Sequence, residues 1–591
     1  MFQTFDVPFS GDQGPSRLAA LRAQIVDHDI DGFLVPRSDK YMGEYVAPCD
    51  ERLAWLTGFT GSAGFAAILP DIAGVFVDGR YRLQVRDQVA DVFTPVDWPE
   101  ITLAGWLNEH APSAVIGIDP WLHTVRDVDA LRQTAKNVTL KYVPNLVDAI
   151  WTDRPDAPIA AFFAQPLEYA GEDHASKRTR IAAELRDSNI RAAVLTQPDS
   201  IAWLLNIRGA DIHHNPVPQS FALLFADGTC HLFCDPAKTA EIVDHLGPDI
   251  AVLPQNGFIA SLADLDGPVL IDPATCPDIV RSSLGDIAQF GSDPCVLPKA
   301  RKNAAELQGA RDAHLRDAVA MCQFLHWLDG ASGITEIDVV SKLESFRRDT
   351  NALRDISFDT IAGSGPNGAV IHYRVTHDTN RQLQDGDLIV VDSGGQYIDG
   401  TTDITRTVAI GTVGDDERDC YTRVLQGMIA VSRARFPHGV GGNHLDALAR
   451  APLWMAGLDY DHGTGHGVGS FLCVHEGPQG LSRRAETPLT EGMILSNEPG
   501  YYRAGAFGIR IENLIAVHPA SQLDTGDAHR SQLCFETLTW VPFDRRLINT
   551  AMLSRDELTW INSYHATVLD KVGPNLSPAV KVWLEAACEP L

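Results

Sequence analysis

RLAALRAQIVDHDIDGFLVPRSD (residues 17–39) and KRTRIAAELRDSNIRAAVLTQPD (residues 177–199) align without a gap, Ile30 on Ile190 and Asp39 on Asp199. In the first copy Leu18, Leu21, Ile25 and Val26 precede the compact run GFLVP, a pattern that predicts an amphipathic helix feeding a buried strand. The likeness continues downstream. Ala54-Trp55-Leu56 recurs as Ala202-Trp203-Leu204, and FAAILPDIAGVFVDGRYR (residues 65–82) is echoed by FALLFADGTCHLFCDPAK (residues 221–238). Such self-similarity predicts two tandem copies of one α/β module. IWTDRPDAPIA (residues 150–160) sets two prolines and two aspartates between periodic regions and reads as a linker, so the copies are expected at residues 1–150 and 161–298.

Beyond the repeat, residues 299–591 follow a different pattern. A long helix is predicted over residues 299–329, with Leu307, Ala310, His314, Ala318, Met321, Leu325 and Leu328 on one face. Further helices are predicted over residues 336–348, 416–436 and 444–455. The strand-like segments DLIVVDSGG, TTDITRTVAI, MILSNEPGYY and FGIRIENLIAV lie between and after them, which predicts an α+β domain with a largely antiparallel sheet. From about residue 535 a tail follows, expected to pack on this third domain or on a partner subunit. Its Leu558, Ile561, Tyr564 and Val568 mark one more amphipathic helix, and Trp560, Tyr564 and Trp583 read as exposed aromatics suited to a subunit contact.

The chain has 591 residues, 45% hydrophobic and 21% charged, enough for several cores. Its formal net charge of −29 disfavours nucleic-acid phosphates and anionic membranes as partners. The ten cysteines are scattered; Cys230 and Cys234 form one close pair whose spacing suits two strand residues better than a metal or redox site, so reduced thiols in a cytosolic protein are expected. MFQTFDVPFS lacks the basic and apolar regions of a leader, and no stretch reaches the ~20 apolar residues of a membrane span. The expected location is therefore cytoplasmic. His213 and His214, in RGADIHHNPV, read as part of a polar loop.

Chemistry concentrates in the last domain. In DHGTGHGVGSFLCVHEGP (residues 461–478), glycines separate His462, His466 and His475 and exclude the helical histidine pair of an HExxH site. Asp392 ends LIVVD and Asp403 lies in TTDITRT; if GGQYIDG closes a regular hairpin, the two aspartates face each other, about 5 Å apart at Cβ. Glu498 and Glu512 form a second opposed pair across YRAGAFG, in a register that Pro499 makes less certain. Buried carboxylates this close repel unless cations lie between them. Four carboxylates and one imidazole match two divalent cations, with oxygen-rich ligation that suits Mn²⁺. Such a pair lowers the pKa of a bridging water, so hydrolysis is the expected reaction class.

HYRVT after GPNGAVI, the aspartates of VDSG and TTDITRT, HGTGHGVGSFLCVHEGP, SNEPGYY and FGIRIEN together resemble the pita-bread metallopeptidases, and among them the three-domain Xaa-Pro aminopeptidases. EYVAPCDERLAWLTGFTGSAGFA, RGADIHHNPV and FETLTWVPFD extend the resemblance over nearly the whole chain. It implies two tandem creatinase-like α/β domains followed by a pita-bread catalytic domain. It also implies Asp392, Asp403, His466, Glu498 and Glu512 as metal ligands and His372, His462 and His475 as catalytic histidines. Arg510 and Tyr502 would steady the carboxylates. The implied activity is release of the N-terminal residue from peptides with proline second, by a hydroxide bridging two metals, in a homodimer. The alternatives are a prolidase confined to Xaa-Pro dipeptides, a metal-free creatinase-like hydrolase and a non-catalytic peptide-binding pseudoenzyme.

Overall fold

The computed structural model describes residues 1–527 and 529–591 and divides into two units, Val7–Val296 and Met1–Asp6 with Leu297–Leu591. In the first unit the duplication is explicit. Helices Gly14–Asp27 and His174–Asp187 are each followed by one left-handed residue, Asp29 (φ 54°) or Asn189 (φ 56°), and then by strands Gly32–Pro36 and Ala192–Leu195. Asp and Asn tolerate that backbone because their short polar side chains bond locally. Both six-stranded sheets share one topology. The first strand lies inside the sheet, antiparallel to the second and parallel to the fifth (Val115–Ile118, Val269–Ile271). Leu18, Leu21 and Ile25 are buried as expected, whereas Val26 is 76% exposed. Consecutive helical residues lie ~100° apart, so Ile25 and Val26 cannot both face the sheet.

The second unit pairs all its strands antiparallel. Ile361–Ser364, Leu388–Ser393 and Ile404–Ala409 make one sheet; Ile494–Asn497, Asn513–Pro519 and Gly465–Gly467 belong to a six-stranded one. The long helix begins at Ala304 rather than at 299, because Asn303 and Glu306 form a reciprocal cap that fixes its start. Residues before it make the short helix Val296–Ala300 and a bridge from Arg301 to Met493. Glu336–Arg348 forms as expected, and the next two helices span Asp415–Ser432 and Gly442–Trp454. All but Leu307 of the seven residues expected along the long helix are buried, and Leu307 is half-buried.

The tail packs on its own domain, one of the two placements expected, but its aromatics are not the exposed residues expected. Helix Arg555–Val572 buries Ile561, Tyr564 and Val568 against the catalytic core, and Trp560 and Trp583 are partly buried against it too. The Tyr564 hydroxyl accepts from Arg406 Nη2 (3.1 Å) and Val541 N–H (3.2 Å), so Tyr564 is a core residue and not a free contact surface.

Candidate metal centre

Four strand ends and one glycine-flanked strand build the site. Leu388–Ser393 pairs with Ile404–Ala409 so that Asp392 faces Thr405. Asp403 is therefore two residues further along on the same face, a diagonal neighbour and not the directly opposed partner that a simple hairpin would give. The intervening chain accounts for the slip. Gly395–Tyr397 and Gly400–Thr401 fold into a hairpin of their own, and Gly394 packs so tightly that a Cβ there would lie 1.9 Å from the Thr402 carbonyl oxygen.

The glutamates follow the expected register. Ile494–Asn497 pairs with Asn513–Pro519 and Gly500–Arg503 with Phe507–Arg510 in one continuous alignment, which puts Glu498 opposite Glu512. Around Pro499 the hairpin opens and its free donors turn outward. Glu498 N–H reaches Thr464 O at 2.8 Å, and Glu512 N–H reaches Thr405 O at 3.1 Å. The break that proline imposes thereby ties both glutamates to the strands carrying His466 and Asp403.

His466 enters between the Glu476–Leu481 and Ile494–Asn497 strands only because its neighbours lack side chains. A Cβ at Gly465 would lie 1.9 Å from Ser496 O, and one at Gly467 2.4 Å from Glu476 O. His466 Nδ1 lies 2.9 Å from Gly467 O, which turns Nε2 toward Glu498 Oε1 (3.3 Å) and Asp403 Oδ2 (3.5 Å). Asp403, His466 and Glu512 each offer a ligand atom within 4.8 Å of the others. Buried Asp392 Oδ1, Asp403 Oδ1 and Glu512 Oε1 have no hydrogen-bond partner among the described residues. Three unpartnered buried carboxylate oxygens, with an imidazole nitrogen among the carboxylates, are a donor set that fits hard divalent cations.

Electrostatics agree. Burial, with Asp403 and Asp392 nearby, pushes the Glu498 carboxyl up to about 7 against the pull of His466 and Arg510. Burial and the other three carboxylates hold Glu512 well above its ordinary value. Burial also raises Asp392, Arg510 opposing it. For His466 burial acts against the charge, but Asp403 and Glu498 outweigh it and lift the imidazole to about 9.

The remaining residues named from sequence surround this centre. Arg510 donates to Asp392 Oδ2 through Nη2 (2.6 Å) and Nε (3.2 Å), and through Nη1 to the Tyr502 hydroxyl (2.6 Å) and Ile371 O (3.2 Å). That last bond anchors the backbone next to His372. Tyr502 OH in turn meets His462 Nε2 at 2.9 Å, while His462 Nδ1–H donates to Gly463 O (2.7 Å). Arg510, Tyr502 and His462 thus form one polarised chain. The His475 ring stands edge-on to His466, centroids 4.3 Å apart.

Sequence reasoning missed several supports. Thr405 Oγ1–H donates to Glu512 Oε2 (2.8 Å), and Ser496 Oγ links His466 N–H to Glu498 Oε1 (2.9 and 3.0 Å). Period-two alternation from Asp403 and Glu498 already points to both. Glu476, next to His475, is buried in an ion cluster with Lys299 (3.0 Å) and Lys302, which nothing local in the sequence reveals. Glu476→Gln leaves two buried ammonium groups without their counter-charge. It should cost about 3–5 kcal/mol of unfolding free energy, measurable by denaturant titration.

Models of known families match most of the chain. "Metallopeptidase family M24" matches residues 308–519, "Creatinase/Prolidase N-terminal domain" matches residues 17–150 and again 153–306, and "C-terminal region of peptidase M24" matches residues 531–591. The chain is 37% identical to Aminopeptidase P1 of Lotus japonicus over 97% of this chain and 99% of that one. It is 39% identical to the probable Xaa-Pro aminopeptidase P of Laccaria bicolor over 97% and 93%. Among solved structures it is similar to the X-prolyl aminopeptidase of Caenorhabditis elegans, described as a cytosolic enzyme with a di-nuclear active site. The TM-score is 0.94 at 32% identity, covering 98% of this chain and 100% of that one.

Proposed function

Because this chain belongs to the aminopeptidase P family of M24 metallopeptidases, we propose that Asp392, Asp403, His466, Glu498 and Glu512 hold two divalent cations and that His372, His462 and His475 serve the substrate. The enzyme is a metal-dependent Xaa-Pro aminopeptidase: it releases the N-terminal residue from peptides whose second residue is proline. The observation that carries the ligand assignment is the clustering of ligand atoms of Asp403, His466 and Glu512 within 4.8 Å of one another, with Asp403 Oδ1, Glu512 Oε1 and Asp392 Oδ1 buried and unpartnered among the described residues. Prolidase and pseudoenzyme readings are not favoured. Similarity runs the length of three-domain aminopeptidases, and none of the five candidate ligands is replaced.

An Xaa-Pro bond is a tertiary amide without N–H, so a site gains nothing from gripping that hydrogen and must instead protonate the departing ring nitrogen. Two bound cations would supply Lewis acidity, polarising the scissile carbonyl and easing removal of a proton from water. The protein supplies the rest. Arg510 fixes Asp392 so that Oδ1 stays turned to the centre, where a carboxylate can also receive the substrate's free amine. Glu498, lifted to about 7 by its surroundings, is suited to take up a proton at neutral pH. His462, held between Tyr502 OH and Gly463 O, is the alternative proton carrier, its ring oriented by a phenol that Arg510 fixes in turn. His372 or His475 is assigned to the developing oxyanion, as a hydrogen-bond donor.

The same reading takes Mn²⁺ as the metal, since four carboxylates outnumber one imidazole. It sets domains at residues 1–150, 161–298 and 299–591 with an extension from about 535, a homodimer as the assembly, and the cytoplasm as the compartment. Ten free cysteines, eight of them buried, support the last, as does the cytosolic relative; among the described residues no helix is long and apolar enough to cross a membrane. The test is an Xaa-Pro-Xaa tripeptide beside an Xaa-Pro dipeptide, assayed with Mn²⁺ and with metal content determined. Release of the first residue from the tripeptide, with two metals per chain, is expected. Activity restricted to the dipeptide would make the enzyme a prolidase.

A further inference from the structure

The stretch that carries His372 is irregular: residues 370–381 form neither helix nor strand. Something other than a hydrogen-bonded ladder must hold it. One side is braced by Arg510, through Ile371 O, and by Glu336, whose buried carboxylate accepts from the Tyr373 hydroxyl (2.9 Å) and Arg381 N–H (3.2 Å). The other side is covered by residues 1–6, which pack with the catalytic unit although the chain from Val7 onward belongs to the other one.

That arm is docked by specific bonds along its length. Phe2 N–H donates to both oxygens of buried Glu344 (2.9 and 3.0 Å). Gln3, 3% exposed, exchanges two bonds with the Thr360 backbone, Nε2–H to O (3.2 Å) and N–H to Oε1 (2.8 Å). Thr4 accepts from Arg374 Nη2 on its carbonyl (3.1 Å), and Arg374 also pairs with Asp359 (3.0 Å). Phe5 O accepts from His377 N–H (3.0 Å), while the Phe5 ring packs on the catalytic core and edge-on to His377.

These anchor points flank the reacting groups. Arg374 and His377 follow His372 by two and five residues. Thr360 Oγ is 2.6 Å from Ser393 Oγ, the residue after Asp392, and Ile361 faces Asp392 across the sheet. The arm therefore bridges the segment bearing His372 and the strand bearing Asp392 without approaching the centre itself.

We propose that Gln3 and Phe5 are positioning residues for peptide hydrolysis, setting the placement of His372 against Asp392 from a part of the chain more than 350 residues away in sequence. This rests on the assignment of His372 made above. A small displacement of a catalytic group costs rate more than binding, because alignment matters most in the transition state. Full-length, metal-loaded Gln3→Ala, Phe5→Ala and the double variant are assayed with an Xaa-Pro-Xaa peptide, below any unfolding seen by circular dichroism, alongside His372→Ala. The double variant should lose about 10-fold in kcat, with KM within about twofold and metal content unchanged, while His372→Ala loses most of its activity. If the double variant fails to fold, Gln3→Ala, which leaves the Phe5 ring in place, carries the same expectation of a fall in kcat at constant KM. Unchanged kcat in the folded arm variants beside an inactive His372→Ala shows that the arm is merely stabilising and overturns the proposal alone. A fully active His372→Ala overturns the assignment of His372 and the proposal with it.

Discussion

Glu512→Gln is expected to lower peptide hydrolysis by about three orders of magnitude or more and, in metal-stripped protein at pH 8, to raise the unfolding temperature. The two effects share one cause. Glu512 is 1% exposed; Oε2 is satisfied by Thr405, but Oε1 has no partner among the described residues, so the carboxylate is held for a cation. Without cations, burial and the neighbouring Asp403, Glu498 and Asp392 disfavour its charge and hold its pKa well above the ordinary range, so the fold must retain a proton that the unfolded chain releases at pH 8. Glutamine removes that repulsion and a ligand together. The opposite signs matter for interpretation: a variant that is inactive because it unfolds would melt lower without metal, not higher. Activity measured with added Mn²⁺ and calorimetry in chelator check the two halves, and a wild-type rate in Glu512→Gln would refute the ligand assignment.

Metal removal itself should make stability fall steadily with rising pH. Below the ordinary carboxylate pKa of ~4.3, Glu498 and Glu512 are protonated in both folded and unfolded chains and impose no penalty. As pH rises toward about 7, the value to which Glu498 is lifted, the unfolded chain releases protons that the fold retains, and stability is lost through that window. Glu512, raised further, extends the loss upward. His466 adds to it: its charged form is favoured by Asp403 and Glu498, so that contribution is present below ~6.5 and disappears as pH passes about 9. Each uncompensated proton contributes about 1.4 kcal/mol per pH unit. Divalent cations replace those protons, so the gap in melting temperature between loaded and stripped enzyme should widen from pH 5 to pH 8. A gap that stays constant over that range would mean the carboxylates are not the metal site.

The readable parts of the sequence were those governed by local rules. The repeat follows from self-similarity and the helix Glu336–Arg348 from periodicity alone. The alignment of Glu498 with Glu512 was readable too, since one hairpin register spans both. The aspartate pair misled because hairpin counting assumes an uninterrupted ladder, whereas residues 395–401 leave it to pair among themselves. Tyr564 misled because an aromatic residue on an amphipathic helix looks the same whether it covers a partner or its own core. The Lys299–Glu476–Lys302 cluster and the docked arm were invisible for another reason: each joins residues more than 170 positions apart, and no local pattern encodes such a meeting.

The arm also sets an order of events during synthesis. Met1–Asp6 is made some 350 residues before Thr360 and His377, which receive it. At about 5–20 residues per second, the arm waits roughly 20–70 s for its dock, long after residues 7–296 have emerged and can fold. Residues 1–6 are thus made early and placed late, and the catalytic unit is complete only when they have met a segment made some 350 residues after them.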